Sequence, residues 1–121
     1  MSTVVERLSL GQTEKILAVI SSAYEEVANR TYVCVIDGAK VLLYNKGDSI
    51  QLRASFGGRH SMSKANEWNE TKRFSKAHVE EDGSIVLEAD YLFEGGTTIE
   101  NLAQFLKIFK ASLSVFIDEV V

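Results

Sequence analysis

Three side chains of this sequence have the chemistry to ligate a metal or open a covalent step: Cys34, His60 and His78. A dedicated metal site needs several ligands arriving from close spacing or from one face. The chain has one cysteine and two histidines, with no paired Cys and no His-x-x-x-His, so no metal site is expected. Cys34 sits between Val33 and Val35 in an apolar run and reads as a small buried side chain. A nucleophile would need a base or a positive field beside it. His78 shares a predicted strand face with Phe74 and Lys76 and reads as a surface or partly buried hydrogen-bonded histidine; His60 lies in a loop beside Arg59, and either could tune a pH response. Glu88 and Asp90 stand about 7 Å apart on one strand face, the arrangement of a carboxylate pair, but a wet sheet face accounts for them. Gly95-Gly96-Thr97-Thr98 leads into a helix whose first N–H groups can hold an anion. No lysine follows, and Glu94 and Glu100 flank it, so it reads as a strand-to-helix turn. There is no Gly-x-Ser-x-Gly elbow and no phosphate-binding Walker loop. No catalytic residue, metal or cofactor is therefore expected, and the residues point to binding.

The elements that position these residues follow from periodicity. Ile16, Ile20, Ala23, Tyr24 and Val27 recur at spacings of three and four, which predicts a helix over 13–29, with Ser9 or Thr13 as its cap. Tyr32 to Ile36 is β-branched and apolar on both alternating faces, which predicts a strand covered on both sides. Asp37-Gly38 turns it into a return strand over Lys40 to Tyr44, and Asn45 to Asp48 makes a second turn. In the third strand Ile50, Leu52, Ala54 and Phe56 point one way, Gln51, Arg53 and Ser55 the other. A short helix follows over 63–71, with Met62, Ala65 and Trp68 on one face; Trp68, the only tryptophan, reads as a packing device. Residues 74–79 and 84–92 form a second hairpin around Asp82-Gly83. Thr97 with Glu100, or Thr98, caps the closing helix. Ile99, Leu102, Leu106, Phe109, Leu113 and Phe116 then form one continuous stripe. Phe105, Ile108 and Val115 widen the apolar arc to roughly 200°, more than one sheet contact needs. This flank is either covered within the fold or offered to a partner. The expected order is α-β-β-β-α-β-β-α: an antiparallel sheet covered by helices, of the α+β class. No repeat or linker divides the chain, and one domain over 1–121 is expected.

The chain has 121 residues and a net charge of −4, which argues against nucleic acid and anionic membranes as general partners. The charge is unevenly placed. Between positions 53 and 76 Arg53, Arg59, Lys64, Lys72, Arg73 and Lys76 face only Glu67 and Glu70. A basic middle on an acidic body is a candidate docking face for an acidic partner. The single cysteine excludes an internal disulfide and suits a reducing, cytoplasmic location; no leader peptide and no membrane-spanning run is recognised.

Lys64-Ala65-Asn66-Glu67-Trp68-Asn69, then Arg73-Phe74 and the Asp82-Gly83 hairpin, resembles the YbjN family of bacterial sensory-transduction regulators. The resemblance continues through Ile85-Val86-Leu87-Glu88-Ala89-Asp90 and Gly95-Gly96-Thr97-Thr98-Ile99-Glu100 into the apolar closing helix, and is strongest from Trp68 to Phe116. The family's fold is similar to that of type III secretion chaperones, which dimerise and bind extended protein segments. The resemblance implies a non-enzymatic protein-binding or regulatory domain, chaperone- or adaptor-like and homodimeric, in bacterial signalling or stress response. The alternative is a sensor of the same fold that binds a small ligand in an apolar pocket. The candidate interaction residues are Phe105, Ile108 and Val115 on the helix flank, with Arg53, Arg59, Lys72 and Arg73 on the charged surface; the protein partner is unknown.

Overall fold

The computed structural model describes residues 4–21 and 23–121. Its elements are β1 (Val4–Val5), α1 (Leu10–Ile20), β2 (Tyr24–Ala28), β3 (Thr31–Ile36), β4 (Ala39–Asn45), β5 (Ser49–Phe56), α2 (Met62–Thr71), β6 (Lys76–Val79), β7 (Ile85–Leu92), β8 (Thr97–Thr98) and α3 (Ile99–Glu119). The α+β class is as expected: three helices and an antiparallel sheet of six strands, in the order β2-β3-β4-β5-β7-β6. A separate two-stranded ribbon joins β1 to β8 through Val4↔Thr98 and Val5↔Thr97.

The order differs from expectation by three added strands: β1 and β8 of the short ribbon, and β2 in place of the second half of the first helix. The first helix ends at Ile20, and Tyr24, Val27 and their neighbours form an edge strand paired with β3. Ser9 starts that helix with a full capping box: its hydroxyl accepts from the Gln12 N–H at 3.2 Å, and its own N–H donates to Gln12 Oε1 at 3.0 Å. Ser21 ends it. The Ser21 N–H closes the last turn on the Leu17 carbonyl, while its hydroxyl lies 2.8 Å from the Ala23 carbonyl and 2.9 Å from that of Val35. Those contacts hold the chain extended and beside β3, which overrides the helical spacing of Ala23, Tyr24 and Val27.

The Asp37-Gly38 turn has φ of +52° and +79°, the left-handed pair that a two-residue hairpin uses to match strand twist. Alternation then sets the faces. Tyr32, Cys34, Ile36, Val41, Leu43, Ile50, Leu52, Ala54, Ile85 and Leu87 are buried on the helix-bearing face. The other face carries no helix-sized cover for β3: Val35 is 43% exposed, so the strand expected to be covered on both sides is covered on one. The α3 stripe of Leu102, Leu106, Phe109, Leu113 and Phe116 lies in the core with the inner sheet face, and α1 packs against α3.

One polar hub ties the N-terminal segment to the sheet. The buried Asn45 amide donates to the Leu8 carbonyl and to Thr13 Oγ1, both at 2.9 Å. Its Oδ1 accepts from the Gly47 N–H at 2.9 Å and from Arg30 Nη2 at 3.2 Å. Arg30, held at φ +57°, also donates to the Leu8 carbonyl at 2.9 Å. Among the described residues every buried side-chain N or O has a partner, as a low-dielectric interior requires.

Candidate docking groove

Cys34, His60 and His78, the side chains with the chemistry for catalysis or metal binding, are not brought together. Cys34 is buried, and burial pushes its thiol up to about 11, so it stays protonated and inert at neutral pH. His60 Nε2 lies 3.0 Å from the Gly57 carbonyl, and His78 Nδ1 lies 3.8 Å from Glu88 Oε1 on the outer sheet face. Among the described residues no group of three or more His, Cys, Asp or Glu side chains is placed to hold a metal. The Gly96 N–H donates to the Phe93 carbonyl at 2.8 Å, and Thr98, the cap of α3, accepts from the Asn101 N–H at 3.1 Å. The glycine turn therefore does the structural work of entering the helix.

The interaction candidates divide into three places. Phe105 is 7% exposed and belongs to the interior, with its ring 5.3 Å from Tyr91 and 5.6 Å from Phe74. It is removed from the surface set because two rings distant in sequence cover it. Arg53 leaves the outer sheet face and pairs with Glu80 at 3.0 Å; Arg59 is exposed in the loop before α2. Neither lies with the helix flank. Ile108, Val115, Lys72 and Arg73 do come together.

They line one groove between α2 and α3, about 380 Å³ in volume, with Trp68, Thr71, Phe74, Ala111 and Ser112. Its construction follows from α2. Ser61 caps this helix by accepting from the Lys64 N–H at 3.3 Å. Helical spacing then puts Ala65 and Trp68 inward, while Met62, expected on the same face, is exposed. The Trp68 ring meets Phe116 edge-on at 4.9 Å, and its Nε1 donates to Ser75 Oγ at 3.3 Å. Ser75 Oγ is 2.9 Å from Ser112 Oγ on α3. Ser75 has φ +68°, a conformation that an L-residue adopts at some strain. Two hydroxyl contacts pin it there, at the bend that leads from Arg73 and Phe74 into β6. Lys72 Nζ stands 5.3 Å over the Trp68 ring and 3.2 Å from Glu119 Oε2.

On α3 the floor is Ile108, Ala111, Ser112 and Val115, at i, i+3, i+4 and i+7. Ile108 is 41% and Val115 40% exposed. Phe74, Ala111 and Ser112 are not among the interaction candidates named from the sequence. The spacing of Ala111 and Ser112 from Ile108 was the signal that could have found them.

A match to the family model YbjN, described as "Putative bacterial sensory transduction regulator", covers residues 29–121. This chain belongs to that family. The matched region runs from the β2–β3 turn to the C-terminus and includes α2, α3 and the whole groove between them. No curated protein is matched by the sequence. Among the described residues no helix is long and apolar enough to cross a membrane.

Proposed function

We propose that this chain is a non-enzymatic regulatory domain that works by binding protein, chaperone- or adaptor-like, with the α2–α3 groove as its docking surface. The observation that carries this reading is the meeting of Ile108, Val115, Lys72 and Arg73 in one concave surface. Two half-exposed branched residues beside two cations form an apolar centre with a charged rim, the layout of a protein-binding surface. The family description supports the regulatory part. A second copy is a further partner, and β2 supports that: it is exposed along all five residues and forms one edge of the six-stranded sheet.

The test of the docking surface is selective loss. Wild-type chain, Ile108→Glu and the outer-face control Lys40→Glu are used as baits under identical conditions. A protein retained by the wild type and the control but lost from Ile108→Glu supports the reading. Identical retention by all three overturns it. Light scattering behind a sizing column, over a dilution series, tests the second copy: a stable mass twice 13.4 kDa supports a dimer, and a mass of 13.4 kDa at every dilution removes it.

A further inference from the structure

Resting on the docking reading, we infer that the occupant of the groove is a short segment of another protein that presents apolar side chains flanked by carboxylates. The floor is shaped for side chains. Ile108 and Val115 stand one heptad apart, with the smaller Ala111 and Ser112 between them. The groove is shallow and open, about 380 Å³, which suits side chains laid across a surface and not an enclosed small molecule.

The rim sets the charge. Arg73 is exposed and makes no ion pair among the described residues. It also borders a neighbouring depression in which Arg73 and Lys76 stand against Glu88 and Asp90, so the unpaired positive charge is that of the groove side alone. A segment crossing the groove therefore passes over a guanidinium that accepts a carboxylate in a forked geometry. Lys72 is held by Glu119, but the two side chains are 33% and 54% exposed, and such a pair exchanges readily for a competing carboxylate. A second copy fits this surface less well. A two-fold contact centred on the groove places both Lys72–Arg73 rims over one floor, like charge near like charge.

The test uses the full chain and a library of short random peptides displayed on phage, with counter-selection on Ile108→Glu. An enriched sequence without tryptophan is then synthesised and titrated, with the emission of Trp68 as readout, since Trp68 lines the groove and is the sole tryptophan. The expected result is enrichment of Asp or Glu beside Leu, Ile or Phe. Binding should weaken roughly tenfold on Arg73→Glu at low salt; high salt should weaken wild-type binding and narrow that difference. Exchanging the peptide's acids for lysine should restore affinity for Arg73→Glu. Circular dichroism of both variants verifies folding. Peptides that depend on Ile108 but lack acids, or bind Arg73→Glu equally well, overturn the acidic occupant and leave the docking reading standing. A mass that doubles for the wild type and not for Ile108→Glu assigns the groove to a second copy and also overturns it. Enriched peptides indifferent to Ile108→Glu, or no enrichment over the counter-selected variant, overturn both readings.

Discussion

The side chain of Asn69 occupies both backbone hydrogen-bonding groups of Ala77. Its Nδ2 donates to the Ala77 carbonyl at 2.9 Å, and its Oδ1 accepts from the Ala77 N–H at 2.8 Å. Ala77 belongs to β6, the last strand of the sheet, so one amide on α2 stands where a neighbouring strand would pair. A sheet edge covered in this way is closed to other chains. Asn69→Ala removes both bonds and should lower stability by about 1–3 kcal/mol. It should also introduce concentration-dependent association. Urea unfolding reads the first effect and light scattering the second; an unchanged midpoint would show that the amide contributes nothing.

Asn45 is the second side chain whose loss should be felt far from its own position. It joins Leu8, Thr13, Arg30 and Gly47 from three separate segments. Asn45→Ala leaves the Leu8 carbonyl and the Thr13 hydroxyl short of a donor and the Gly47 N–H without its acceptor. Each buried group left unpaired costs about 1–3 kcal/mol, with partial relief from the remaining Arg30 bond. We expect a total loss of several kcal/mol, measured by denaturant unfolding, and loosening of α1 seen as faster amide hydrogen exchange.

Phe105 and Ile108 lie three residues apart on α3 and should behave oppositely. Phe105→Ala removes a ring packed between Phe74 and Tyr91 and should cost about 3–5 kcal/mol. Ile108→Ala trims a half-exposed side chain and should change stability by no more than about 1 kcal/mol. Thermal and urea unfolding of the pair would separate core from docking surface. Equal losses would put Ile108 in the interior.

Cys34 gives the fold an alkaline limit. Its thiol is raised from 9.0 to about 11 by burial, so the unfolded chain gives up this proton first as pH rises. The stabilising effect of keeping it protonated is fully present below pH 9 and is lost as pH climbs from 9 through 11. The slope from this one group is at most about 1.4 kcal/mol per pH unit. Tyr32, raised first by burial and then by Glu26, extends the same trend at higher pH. In Cys34→Ala the slope between pH 9 and 11 should flatten, whatever the packing loss does to stability at neutral pH. The native thiol should also react slowly with alkylating reagents at pH 7 and rapidly once unfolded.

Elements with a strong private signal were legible in the sequence. The alternation of Ile50, Leu52, Ala54 and Phe56 set the faces of β5, and the spacing from Leu102 to Phe116 set the buried stripe of α3. Asp37-Gly38 announced its turn, while the choice of Ser9 over Thr13 as cap of α1 was settled only by the capping box in the structure. The failures came where a distant contact decides. Ala23, Tyr24 and Val27 continue a helical spacing, yet pairing with β3 makes them a strand. Val33 and Val35 look buried because they are β-branched, yet on the outer face Val35 is 43% exposed and Val33 only half-buried. Periodicity widened the arc of α3 to include Phe105, Ile108 and Val115 alike; only the arrival of Phe74 and Tyr91 separates the first from the other two. The groove was half legible, since its charges and branched residues were named while its shape depends on how α2 meets α3.

The two ends of the sheet are unequal, and this limits what strand addition can build. Among the described residues the β2 end is exposed, whereas the β6 end is shut at Ala77 by Asn69. A molecule with a single joinable end pairs once, bare end to bare end about a two-fold axis, and the product has no joinable end left. Growth into an open-ended fibre needs two such ends; if strands add at β2, the closed β6 edge would stop that addition at two copies for as long as Asn69 holds Ala77.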